Sequence, residues 1–111
     1  MNRSAIIRPA AQAEIDQQAD YLAEHASLEI AVRFLDAVCE TIHSIIDSPN
    51  IGSPWISDHP RLQNIRKHKV IGFPNHLLFY INSAKTVEVL HLFHGKQDID
   101  SRLSDEVNNL P

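Results

Sequence analysis

Two spacings of apolar residues divide the chain. From Pro9 onward, Ala11, Ile15, Ala19, Leu22 and Ala26 recur every three or four positions, with Glu14, Asp16, Asp20 and Glu24 between them. That pattern predicts an amphipathic helix carrying Pro9 in its first turn. Ser27 then offers an N-cap, Glu29 sits in the favourable first turn, and Ile30, Phe34, Val38, Ile42, Ile45 and Ile46 build a second helical stripe. Glu29 and Arg33 are spaced for an i,i+4 ion pair. Pro49 ends this helix near Asp47 or Ser48, so the two helices form a hairpin.

Outside the hairpin the period shortens to two. Residues 4–8 read Ser-Ala-Ile-Ile-Arg before Pro9, a first strand. Residues 65–73, 76–81 and 86–94 are rich in β-branched and aromatic side chains, separated by Pro74-Asn75 and by Asn82-Ser83-Ala84-Lys85, and predict a three-stranded antiparallel meander. Strict alternation would set Val87, Val89, His91 and Phe93 on one face of the last strand, with Glu88, Leu90, Leu92 and His94 on the other. Residues 48–63 contain Pro49, Gly52, Pro54 and Pro60 without periodicity and read as a loop. The expected fold is a single α+β two-layer sandwich, β-α-α-β-β-β, with the helical hairpin on one face of a small antiparallel sheet and residues after about Arg102 frayed.

Composition then narrows the chemistry. At 111 residues with a net charge of -4, the chain suits one core and does not suit broad neutralisation of nucleic-acid phosphates. The charge is unevenly spread. Residues 59–87 contain no Asp or Glu but carry Arg61, Arg66, Lys67, Lys69 and Lys85, a local cationic field inside an acidic protein. Cys39 is the only cysteine and is expected to be a buried, inert thiol. With no long apolar run and no disulfide partner, the cytoplasm is the expected compartment, without membrane association.

Five blocks, in order, resemble the ParE branch of the RelE/ParE superfamily, the toxin half of type II toxin–antitoxin pairs. They are Pro9-Ala10-Ala11 leading to Glu14-Ile15 and Ala19 through Glu24; Ala31 through Asp36 continuing to Ser48-Pro49 and Gly52; Asn64-Ile65-Arg66 followed by Val70 through Phe73; His76 through Tyr80 with Val87 through Leu90; and Phe93-His94-Gly95 with Asp98-Ile99. The resemblance implies a bacterial growth inhibitor silenced by a cognate antitoxin, often of ribbon-helix-helix type. ParE-type members poison DNA gyrase, whereas RelE-type relatives cleave mRNA on the ribosome.

On that basis Arg66, Lys67, Lys69 and His94 are expected to contact the target, and Ile15, Leu22, Phe34, Trp55 and Arg66 the antitoxin. Each has a plainer alternative: Arg66 as a surface cation, His94 as a turn residue, Trp55 as a cover for the open edge of the core. A ribonuclease would need a base, an acid and clustered cations to converge, with Arg66, His91 and His94 as candidates, but alternation sends His91 and His94 to opposite faces. Gyrase poisoning needs recognition rather than bond breaking, so no catalytic residue is expected. Ile81, His91 and Gln97 stand where the family commonly has arginine, which leaves an inactive antitoxin-binding relic as a third reading. Seven histidines without Cys partners, and without three on one element and face, give no expectation of a metal site. No cofactor is expected, since the three glycines are too scattered for a phosphate loop.

Overall fold

A computed structural model describes residues 3–55 and 64–95. The elements are β1 (Ser4–Ile7), α1 (Pro9–His25), α2 (Leu28–Asp47), β2 (Ser53–Pro54), β3 (Ile65–Val70), β4 (Phe73–Asn82) and β5 (Thr86–His94). They form one five-stranded sheet in the order β1-β5-β4-β3-β2. β1 runs parallel to β5 through Ser4↔Thr86 to Ile7↔Val89, and the remaining neighbours are antiparallel. The α+β layering matches the expectation.

Local chemistry explains the hairpin. Pro9 opens α1, where its missing N–H costs nothing, after Arg8 in extended backbone. Ser27 accepts from the Ile30 N–H at 3.1 Å and caps α2. The Leu22 carbonyl takes both the Ala26 and Ser27 N–H groups and closes the end of α1. Glu29 and Arg33 form the expected pair at 3.3 Å on an exposed surface.

Both sheet faces carry a core. Toward the helices, Ala11, Ile15, Phe34, Val38 and Ile42 pack on Val70, Leu78, Val89 and Leu92. On the opposite face lie Ile65, Phe79, Leu90 and Phe93, with Trp55, Leu77 and Ile81 packed against them. The hairpin alone does not account for the buried surface. Trp55 meets Phe79 edge to face at 6.1 Å, the covering role that its isolation in a polar loop suggested.

Four details correct the sequence reading. The β3–β4 turn falls at Ile71-Gly72, where Gly72 adopts φ +80, rather than at Pro74-Asn75. Pro74 fits inside β4 because the β3 register jumps from Lys69↔Leu77 to Val70↔Phe73 and leaves residues 74–76 without a β3 partner. A bulge opposite Phe79/Tyr80 inserts Leu90 into β5, so Leu92 joins Val89 on the helix side while Leu90 and Phe93 take the other face. Ser53-Pro54, expected as loop, pairs with Lys67 and Arg66 as a two-residue edge strand. Cys39 is exposed, because the inward face of α2 runs through Phe34, Val38, Ile42 and Ile45 and turns position 39 outward.

Buried hydroxyls fasten layers together. Thr41 donates to the Ala37 carbonyl at 2.7 Å and accepts the Ile71 N–H at 3.0 Å, joining α2 to the β3–β4 turn. No helix among the described residues is long and apolar enough to cross a membrane.

Candidate functional site

Arg66 lies on β3 opposite Tyr80. Its guanidinium donates to the Gly52 carbonyl at 2.6 Å and approaches that of Asn50 at 3.4 Å. The same loop is held from β4, where the Tyr80 hydroxyl donates to the Pro49 carbonyl at 2.7 Å and accepts the Gly52 N–H at 3.0 Å. Asn82 adds a third tie, to the Pro49 carbonyl at 3.1 Å. Burial pushes the Tyr80 phenol up from its ordinary value, with the Gly52 hydrogen bond and the Arg66 charge opposing. A side chain at Gly52 would put its Cβ 2.6 Å from the Tyr80 hydroxyl and 2.7 Å from the Lys67 carbonyl. Arg66 therefore works as a clamp on residues 49–52, and only its remaining edge faces a hollow of about 490 Å³ lined also by Trp55, Asn64 and Asn82.

Lys67 and Lys69 share the other face of β3. With Ile51, Ser53, Asn75 and Leu77 they line a groove of about 450 Å³. His68 bonds through Nδ1 to the Lys69 carbonyl at 2.6 Å and caps part of this sheet edge. Lys69 and Ile51 are exposed, so the groove presents cations beside an apolar side chain.

The three nuclease candidates occupy separate places. His91 pairs with Glu14 at 2.9 Å and stacks on Phe93 at 4.7 Å. The same Glu14 oxygen accepts the Leu92 N–H at 3.2 Å, closing the β5 edge where β1 has ended. His94 lies opposite His76, at the far end of β4 from Arg66. Four residues of strand, about 13 Å, separate the rows of Arg66 and His94. Among the described residues no three His, Cys, Asp or Glu side chains cluster as metal ligands.

His76 was not singled out by sequence reasoning. It is 7% exposed, surrounded by Phe34, Phe73 and His94, and neither ring nitrogen has a hydrogen-bond partner. Burial, reinforced by His94, lowers its pKa to about 4. Only an apolar strand position occupied by a polar residue could have signalled it.

The expected antitoxin contacts need revision. Ile15 and Phe34, at 3% and 0% exposure, are core residues and cannot be docking surface; Leu22 is partly buried against the same core. The exposed apolar residues of the hairpin are Leu28, Val32 and Leu35 on α2 and Tyr21 on α1, with Cys39 continuing the line. Positions 28, 32, 35 and 39 recur at helical spacing, a second stripe rotated away from the core. The signal was in the sequence, since α2 holds more apolar residues than one face can bury. Gln97, Asp98 and Ile99, the remaining family positions, lie outside the described residues.

Comparison with known proteins agrees with this architecture. A solved structure titled as the chromosomal ParDE TA system from P. aeruginosa has a similar fold, with a TM-score of 0.67 and 16% identity over 83% of this chain and 95% of that one. None of the curated proteins matches the sequence. The family model of the ParE toxin of the type II toxin–antitoxin system, parDE, matches residues 5–99, nearly the whole described fold. The chain belongs to the ParE toxin family of type II toxin–antitoxin systems.

Proposed function

We propose that this protein inhibits growth by binding DNA gyrase in the cytoplasm and is neutralised by a cognate antitoxin, of ribbon-helix-helix type, that covers the outer face of the hairpin. The observation that carries this reading is the exposed stripe of Leu28, Val32 and Leu35, which are 71%, 50% and 37% exposed on a helix whose other face is fully packed. An amphipathic segment laid along such a stripe buries apolar anchors at helical spacing. The Lys67/Lys69 groove is the second contact surface and suits an anionic partner.

Arg66 supports the target contact indirectly, by holding residues 49–52 at the rim of that groove. Mechanistically, inhibition consists of occupying and holding a state of the enzyme, so binding energy takes the place of acid–base groups. The layout of polar residues favours this over mRNA cleavage: Arg66 is turned onto backbone carbonyls and His91 onto Glu14, away from each other.

Gyrase supercoiling measured with purified protein, beside a ribosome-dependent mRNA cleavage assay, tests the target. Supercoiling should be inhibited and mRNA left intact; cleaved mRNA with unaffected gyrase would reverse the assignment. Leu28→Asp combined with Val32→Asp should weaken antitoxin binding by at least about 2 kcal/mol without unfolding the protein.

A further inference from the structure

The two edges of the sheet are finished differently. At one, Pro54 of the short strand β2 and the cations Lys67 and Lys69 of β3 lie side by side. The other is β1, Ser4-Ala5-Ile6-Ile7, with neither charge nor proline. Natural edge strands commonly carry such residues because they discourage pairing with another chain. β1 also uses only one side of its backbone: the Ser4 N–H donates to the Lys85 carbonyl at 3.1 Å and the Arg8 N–H to the Val89 carbonyl at 3.0 Å. Alternate residues of a strand turn their amides to opposite sides, so the N–H and C=O groups of Ala5 and Ile7 point away from β5. No strand among the described residues pairs with them. The adjoining side chains are apolar and open, with Ile6 50% and Ile7 36% exposed.

We propose that two copies of this chain associate through β1, antiparallel, with the two-fold axis at Ile6. Ala5 of each copy then faces Ile7 of the other, and these two pairs exchange backbone hydrogen bonds through the groups that β5 leaves unused. Ile6 meets its own counterpart in the closer kind of cross-strand pair, which shelters two exposed isoleucines from water. A contact of one patch with itself requires this self-complementarity.

Apolar matching and charge fix the register. An axis at Ala5 or Ile7 would set each Ile6 against Ser4 or Arg8 and leave it wet. With the axis at Ile6, Arg8 of each copy lies opposite the uncharged Ser4, so no like charges are opposed. Each Arg8 also enters the joint already paired with Glu88 of its own chain, at 2.6 Å. So short an edge buries less than the about 1,200 Å² of a stable interface, and the dimer is therefore weak and builds up with concentration. β5 and β4 separate β1 from β3, so the Lys67/Lys69 groove stays outside the contact, and the inference does not depend on the proposed target.

Analytical ultracentrifugation of the full chain, purified without antitoxin, tests the contact between about 10 μM and 1 mM, the range expected of a small interface. The average mass should rise from monomer toward dimer. Ile6→Lys sets two like charges face to face at an exposed position that does not threaten folding, and should keep the chain monomeric throughout. Cysteine cross-linking locates the axis in a Cys39→Ser background, which removes the exposed native thiol. Cα atoms of the closer pair type lie about 4.5 Å apart, within disulfide range, so Ile6→Cys should form a linked dimer on air oxidation at least about tenfold faster than Ser4→Cys. A monomer up to about 1 mM, a dimer indifferent to Ile6→Lys, or equal cross-linking at the two positions overturns the proposal.

Discussion

The two ends of β4 treat buried polar groups in opposite ways. At one end Tyr80 both donates and accepts, Arg66 donates to Gly52, and Asn82 donates to Pro49, so each of these groups is matched to a loop atom. At the other, His76 lies among aromatic rings with both nitrogens unmet. A matched network rigidifies the backbone it touches, whereas an unmatched buried group opposes folding. The contrast reverses what residue type suggests: the arginine behaves as scaffold, and the histidine in an apolar row is the polar group left without a partner.

Substitutions at the matched end should have the largest effect on stability. Tyr80→Ala removes a fully buried ring and both of its hydrogen bonds, and should cost about 3–5 kcal/mol in denaturant unfolding. Acidification should act at the other end. The lowered His76 pKa means that the unfolded chain takes up a proton first. Stability contributed by His76 is thus full above about pH 6.5 and falls as pH drops toward about 4, by about 3 kcal/mol in all. Unfolding curves across that range check the sign, and His76→Leu should flatten them. A loss of the same size in His76→Leu would mean that other groups govern acid unfolding.

Tyr80→Phe keeps the ring and removes only the hydroxyl, leaving the Gly52 N–H unmatched, for an expected cost of about 1–3 kcal/mol. His76→Leu, by contrast, should be neutral or stabilising at pH 8, since an apolar side chain of similar size suits the Phe34/Phe73 surroundings. A cost as large as that of Tyr80→Phe would erase the distinction between the two ends. The smallest change in stability, within about 0.5 kcal/mol, is expected from Lys69→Glu at the exposed rim of the groove. Binding of a target through that groove should nonetheless weaken, and the loss should shrink at high salt.

Much of this fold was legible residue by residue. Pro9, the Ser27 cap and the 34-38-42-45 spacing marked the hairpin because capping and helical period are local properties. Strand positions were also readable, but their facing was not. The bulge at Leu90 reversed the expected orientation of Leu92 and Phe93, and nothing local to β5 announces an extra residue. Arg66 was visible as a cation of the right family position; its commitment to the Gly52 carbonyl depends on a loop more than ten residues away. Ile15 and Phe34 were correctly read as apolar stripe residues and wrongly given to a partner, because the stripe that meets the core and the stripe that meets solvent have the same period.

By itself, the sequence determined the helices, the approximate strands, the acid-free cationic stretch and membership of a toxin family. The first three follow from period, capping and charge, which act over a few residues, and the last from ordered residue blocks that resemble the family. Tertiary structure decided which side chains are surface and which polar atoms meet. His76 and His94 are eighteen positions apart and become neighbours only through the antiparallel register, while Arg66 and His91 are held apart by the sheet that contains them both. Register is fixed by which apolar face can be buried, a property of the assembled layers rather than of any one segment.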